Sequence, residues 1–202
     1  MKLLLICVLF SFSEKVWAEG FDNDNQYSIT LTPITEVAMI NFDKQEEVDF
    51  WRITNDSVMG GKSNGMMQPA ADHGIFKGNI SLANNGGFSS VFRSIKSLSQ
   101  QLDTIIIDIK GDGHVYQLRM AVSIEGYRLT YKHDFNTVAG KREQINFTLA
   151  DFQATFRGRK ITNVPVLTAE KIREVGFLIK TKVPSSFSLA IYQLMFLKAY
   201  LH

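Results

Sequence analysis

Two stretches of this chain carry residue types that could do chemistry: Trp51-Arg52-Ile53-Thr54-Asn55-Asp56-Ser57-Val58-Met59-Gly60-Gly61-Lys62-Ser63 and, downstream, Asn84-Asn85-Gly86-Gly87-Phe88-Ser89-Ser90. Each joins an aromatic or Met anchor to Asn or Asp and a Gly-Gly pair, the composition of a tight turn whose backbone reaches positive φ and approaches a neighbour closely. The short polar side chains admit two readings. Turned inward, they bond their own backbone two residues on and organise the turn. Turned outward, Asn55, Asp56, Asn84, Asn85 and Asp112 line one rim and offer oxygens to a partner, to a sugar hydroxyl, or to a Ca²⁺, which takes about 6–8 oxygen ligands. No spaced acidic loop of the calcium-binding kind occurs, so neither a metal nor another cofactor is expected.

Other candidate chemistry is sparser. Gly61-Lys62-Ser63-Asn64-Gly65 matches the G-x-S-x-G pattern literally, but that elbow needs a strand, a sharp turn and a helix, and here Met66-Met67 and a β-rich stretch follow. His73, His114, His133 and His202 lack the short spacings of a zinc site and any Ser/His/Asp order. His133 shares a strand face with Leu129, Tyr131 and Phe135, which suits a hydrogen-bonded core or edge histidine. A non-enzyme is therefore expected. Arg157-Gly158-Arg159-Lys160 is the one dense basic cluster, suited to an acidic partner surface or lipid phosphates. Trp51, Tyr116, Tyr127 and Tyr131 could stack on sugar rings, although Trp51 and Tyr116 sit within apolar alternation and read better as core.

Period-two alternation dominates from about Val37 onward and supplies the frame for these loops. Ile105, Ile107 and Ile109 oppose Ile106, Asp108 and Lys110; Tyr116, Leu118, Met120 and Val122 oppose Gln117, Arg119 and Ala121. Leu129, Tyr131, His133 and Phe135 alternate with Arg128, Thr130, Lys132 and Asp134. Further strands are expected over 37–42, 74–82, 88–94, 142–149, 175–181 and 187–196. In the last, the apolar phase moves from Phe187/Leu189/Ile191 to Tyr192/Leu194/Phe196, which predicts a bulge or a strand end. Helical turns are expected at 149–153 and 168–174, the second capped by Thr168. The expected fold is all-β, an antiparallel β-sandwich or jelly roll.

In order, these segments resemble the complex I intermediate-associated protein 30 family over about residues 42–197, which implies a jelly-roll, galactose-binding-like sandwich. The family's first motif looks to be carried by Trp51, Asn55, Asp56, Met59, Gly60, Gly61 and Ser63. The second is similar to Phe76, Gly78, Ser81, Asn84, Asn85, Gly86, Gly87, Phe88, Ser90 and Arg93. The third resembles Gly111-Asp112-Gly113 with Tyr116, and the fourth Asp151, Phe152, Phe156, Gly158 and Arg159. Arg142 and Asn146 stand where family members commonly place a Trp and a Pro. The resemblance implies an assembly-factor module; the family's best-known members help to assemble respiratory complex I from the mitochondrial matrix side.

The N-terminus points elsewhere. Lys2, an apolar run from Leu3 to Phe12, and Val16-Trp17-Ala18 read as a secretory signal peptide cleaved after Ala18, the run being far shorter than the roughly 20 residues that span a bilayer. Residues 19–35, rich in Asp, Asn, Gln and Thr, read as a loosely ordered arm, and 36–202 as one domain. Cleavage removes Cys7, the only cysteine, and leaves a net charge of +1. Near neutrality argues against general nucleic-acid binding. The expectation is an exported, non-catalytic module with no transmembrane segment in the mature chain, binding a protein client in the cell envelope. A carbohydrate-binding module, or a complex I assembly factor if the leader is retained, is the alternative. Its candidate site is the rim, with Trp51, Arg93 and Tyr116 included.

Overall fold

The computed structural model describes residues 37–124 and 126–198; the expected signal peptide and arm, 1–35, lie outside the described residues. The described chain forms thirteen strands: β1 (Val37–Asn41), β2 (Trp51–Asn55), β3 (Asn64–Pro69), β4 (Gly74–Ile80), β5 (Phe88–Ser94), β6 (Thr104–Lys110), β7 (Val115–Ile124), β8 (Tyr127–Asn136), β9 (Arg142–Thr148), β10 (Gln153–Phe156), β11 (Arg159–Lys160), β12 (Ile172–Lys180) and β13 (Ser185–Leu197). One sheet runs β3-β4-β13-β6-β9, with β1 paired to the far half of β13, and the other runs β11-β10-β8-β7-β12-β5-β2. Every described pairing is antiparallel. The chain passes repeatedly from one sheet to the other, which gives the expected jelly-roll sandwich.

The alternation read from the sequence decides which faces meet. Ile105, Ile107 and Ile109 are fully buried against Tyr116, Leu118, Met120, Val175, Phe177 and Ile179 of the opposite sheet. Each such side chain contributes about 1.5–3 kcal/mol on leaving water. Trp51 joins this core, stacked between Phe42 (ring centroids 5.5 Å apart) and Phe177 (6.1 Å). His133 is half-buried at the edge of the core, 5.1 Å from the Phe147 ring. The phase change in the last strand is a bulge: β13 runs unbroken, but its register with β6 shifts between Ile191 and Gln193, and the extra residue, Tyr192, accepts a backbone bond from Phe42 N.

The two helical segments expected are single 3-10 turns, Leu149–Asp151 and Ala169–Lys171. Thr168 does not cap the second; its hydroxyl donates to the Glu170 carboxylate at 2.7 Å. Three further 3-10 turns, Gln45–Phe50, Asp56–Met59 and Ala83–Asn85, and strands β2, β3, β10 and β11 were not legible in the alternation.

The registers also decide which loops lie together. Asn55 pairs with Ser89, Asn64 with Asn79, Ile80 with Ser185, Phe88 with Lys180, Val115 with Asn136, and Lys110 with both Ala190 and Arg142. Five connections, 56–63, 81–87, 111–114, 137–141 and 181–184, therefore emerge at one end of the sandwich. The Asn/Asp/Gly motifs occupy three of them.

Candidate functional site

Strand β2 ends at Asn55, and Asp56 opens the 3-10 turn that ends at Met59, followed by Gly60 at φ 86°. The Asp56 side chain turns inward and is fully buried. Its Oδ1 accepts from Ser63 N at 2.9 Å; its Oδ2 accepts from the Ser63 hydroxyl at 2.5 Å, from Gly87 N at 2.6 Å and from Phe88 N at 3.2 Å. One carboxylate thus ties the first Asn/Asp/Gly loop to the second. The glycines follow from it. A Cβ on Gly61 would sit 2.3 Å from Asp56 Oδ1, and one on Gly86 would sit 2.5 Å from Oδ2, so neither loop could close over the carboxylate with a larger residue.

Neighbouring polar groups complete the lock. Asn55 Oδ1 accepts from Gly65 N at 3.0 Å and from the Ser89 hydroxyl at 2.6 Å. The Ser63 hydroxyl accepts from Ser81 N at 3.0 Å. Asn84 and Asn85 both adopt left-handed backbone, at φ 56° and 58°, which aims the Asn84 amide at Gly60 O, 2.8 Å away. Burial alone pushes the Asp56 carboxyl up. The Ser63 hydroxyl and the N–H groups of Gly87, Ser63 and Phe88 outweigh it and hold the group below the ordinary aspartate value. Ser63, the serine of the literal G-x-S-x-G pattern, leads into strand β3 with its hydroxyl committed to this lock.

Asp112 performs the same office in the third loop. Its carboxylate accepts from Tyr116 Oη at 2.9 Å, from Ser188 N at 2.6 Å and from His114 N at 3.0 Å, so the turn between β6 and β7 is fastened to β13. Tyr116 is fully buried, and burial, the Asp112 charge and the hydrogen bond to it all push the phenol up. Asn55, Asp56, Asn84 and Asp112 therefore bond their own chain. That is the inward reading for these four, while Asn85 and the amide oxygen of Asn84 remain on the exposed side of the second loop.

Trp51 and Arg93 stand at the opposite ends of β2 and β5 from Asn55 and Ser89, where they pair with each other, and so lie away from the rim with which the sequence reading grouped them. There Glu47 holds both: its Oε1 accepts from the Trp51 indole N–H at 3.0 Å and lies 2.6 Å from Arg93 Nε. Glu47 was missed by sequence reasoning, because its partner Arg93 is distant in the chain and one glutamate in a polar turn carries no signal.

The rim does expose apolar side chains. Val58, Leu82, Val115, Val138 and Val183, one from each of the five connections or their strand ends, are between 37% and 71% exposed. Singly, each is an ordinary surface residue. Only the topology collects them. On the outer face of the second sheet, two adjoining clefts follow strand β8, and Tyr127 is 65% exposed at one end of them. Tyr131, the other aromatic expected to discriminate a sugar platform, is in the core with its hydroxyl on Pro165 O at 2.6 Å.

Comparison with known proteins agrees with this architecture. The family described as Complex I intermediate-associated protein 30 matches residues 40–191. An uncharacterized protein of Schizosaccharomyces pombe is 28% identical over 154 residues, 67% of this chain and 70% of that protein. Among solved structures, a family 11 carbohydrate-binding module from Clostridium thermocellum, in complex with a beta-1,3-1,4-mixed-linked tetrasaccharide, superposes with a TM-score of 0.61 at 14% identity, covering 82% of this chain and 98% of that one. The family 11 module of a cellulosomal cellulase of Clostridium thermocellum gives 0.62 at 15% identity, covering 83% and 99%. At such identities these likenesses establish the fold.

Proposed function

The chain belongs to the complex I intermediate-associated protein 30 family, and from that premise we propose that it is an exported, non-catalytic, assembly-factor-like module that docks a protein client on the rim end of its sandwich. The observation that carries this is the gathering of Val58, Leu82, Val115, Val138 and Val183 on loops braced by Asp56 and Asp112. Aliphatic groups held out in water gain about 1.5 kcal/mol or more each when a partner covers them. Loops already fixed by the Asp56 and Asp112 carboxylates lose little conformational freedom on docking, so most of that gain appears as affinity. Protein surfaces answer such a fringe better than sugars do.

The test is a triple substitution, Val58→Asp, Val138→Asp and Val183→Asp, followed by in-cell crosslinking, affinity purification and mass spectrometry of what is recovered. The expected result is loss of about nine-tenths of the client captured by wild type, with a melting temperature within about 2 °C, since surface substitutions rarely move stability by more than about 0.5 kcal/mol. Undiminished capture would overturn the rim as the docking surface. The same purification reports the N-terminus. A chain beginning at Glu19, recovered with one abundant envelope protein, is the expected outcome. Complex I subunits recovered with Met1 in place would return the protein to the familiar role of its family and end the export reading.

A second reading is carbohydrate binding, supported by the open polar clefts along β8 with Tyr127 beside them. The fold shared with carbohydrate-binding modules supports a sugar as the ligand class of this reading.

A further inference from the structure

The two clefts along β8 form one groove. The first, about 520 Å³, is lined by Lys132, Asp134, Asp151 and Gln153; the second, about 410 Å³, by Arg119, Tyr127, Thr130 and Arg157; Thr155 and Gly158 line both. Followed from Tyr127 to Asp134, the groove is about 23 Å long at roughly 3.3 Å per strand residue. It therefore suits a short polymer. Its side is the β10–β11 hairpin, whose turn residues Arg157 and Gly158 have φ 48° and 78°, the two left-handed positions of a tight hairpin turn.

The charges along this groove are not evenly spent. Lys132 is neutralised by Asp134 at 2.8 Å, and Arg128 by Glu174 at 2.6 Å while it lies over the Phe92 ring. Arg119 is different. It is half-buried on the groove floor, its Nε donates to Gln117 Oε1 at 2.9 Å, and it makes no ion pair among the described residues. Burial and the neighbouring Arg128 both work against its charge, while Asp134 supports it from beyond pairing distance. Arg157 stands exposed above it, resting on the Phe156 ring at 5.4 Å. Arg119 from β7 and Arg157 from the β10–β11 turn thus flank β8 and line one cleft, and with no ion pair to either among the described residues they offer guanidinium donors to a carboxylate.

We infer that the groove along β8 binds an acidic oligosaccharide, with Arg119 and Arg157 taking a uronate carboxylate at the Tyr127 end and Asp134, Asp151 and Gln153 taking sugar hydroxyls at the other. This rests on the carbohydrate reading above. The lining selects the class: Lys160, Arg119 and Arg157 favour an anion, while Asp134 and Asp151 accept bonds from hydroxyls, which an oligosaccharide offers at every residue. At the middle of the groove an extended peptide finds no free backbone, because β8 is paired with β7 along its length and with β10 over residues 130–132.

Isothermal titration of the mature chain with tetragalacturonate, its methyl ester, a neutral β-glucan tetrasaccharide and a single-stranded oligonucleotide tests this. The uronate is expected to bind about tenfold or more tighter than its ester, as charge-assisted bonds to a guanidinium require. Arg119→Gln and Arg157→Gln are each expected to remove that preference. Arg157 is on an exposed turn, so its variant keeps the test decisive if Arg119→Gln melts early. Equal affinity for acid and ester would overturn the acidic class and leave the carbohydrate reading standing. No binding of any sugar would end both. An oligonucleotide bound as tightly as the uronate would overturn the inference in favour of a general polyanion surface.

Discussion

Asp56→Ala is expected to lower the unfolding free energy by about 4 kcal/mol, and the melting temperature by about 10 °C or more. The side chain is fully buried, and three backbone N–H groups, from Ser63, Gly87 and Phe88, point at it together with the Ser63 hydroxyl. Removing the acceptor strands these donors, each costing about 1–3 kcal/mol when water cannot reach it. Glycines at positions 61 and 86 leave no side chain to fill the space. Thermal unfolding by circular dichroism checks the figure; a loss below about 1 kcal/mol would mean that the loops close without the carboxylate. The pH dependence has a definite sign. Because the folded carboxyl is held below its ordinary value of 3.8, its contribution is fully present above that value and is lost as the pH falls through the folded one. In Asp56→Asn this acid-side loss disappears from the urea midpoint measured between neutral and acid pH.

Asp112→Ala is expected to cost about 3 kcal/mol, because it strands the buried Tyr116 hydroxyl and the Ser188 N–H that fastens β13 to the turn. The informative comparison is the double variant. Tyr116→Phe alone removes a hydroxyl and orphans little, since Asp112 keeps Ser188 N and His114 N, and should cost about 1 kcal/mol. Asp112→Ala with Tyr116→Phe should then be less destabilised than the sum of the two by about 1 kcal/mol or more. Strict additivity, measured by urea denaturation of all four proteins, would show that the two side chains do not act as a unit. Both experiments ask whether the Asn/Asp/Gly motifs face inward or outward. The geometry has Asp56 and Asp112 bracing the loops, and the docking proposed above falls to the aliphatic residues that the loops hold out.

How much of this was legible depends on the range of the signal. Ile105, Ile107 and Ile109 announced a buried face because alternation is local, and the phase slip around Tyr192 announced the bulge for the same reason. Strand β3, Asn64–Pro69, was not legible, since its Gly65 and Pro69 read as turn residues and its pairing with β4 comes from tertiary closure. The aromatic candidates divided. Trp51 and Tyr116 are core, as their apolar context suggested, while Tyr127 and Tyr131, two strand residues of the same phase, separate into surface and core because the sandwich ends between them.

The sequence by itself determined an antiparallel β-fold with its turns, because period-two patterning and glycine-bearing turns are properties of neighbouring residues, and the order of its motifs carried the resemblance that implied the family's jelly roll. It also named Asp56, Asp112, Gly61 and Gly86 as the special positions of the loops. Only the tertiary structure decided what those positions do. Whether a carboxylate meets water or four donors depends on chain more than thirty residues away, as the bond from Phe88 N to Asp56 shows. The same holds for the five aliphatic residues of the rim and for Arg119, which has no ion pair among the described residues: strand register, which brings distant loops to one end and distant charges to one groove, is a property of the closed sheets and not of any segment within them.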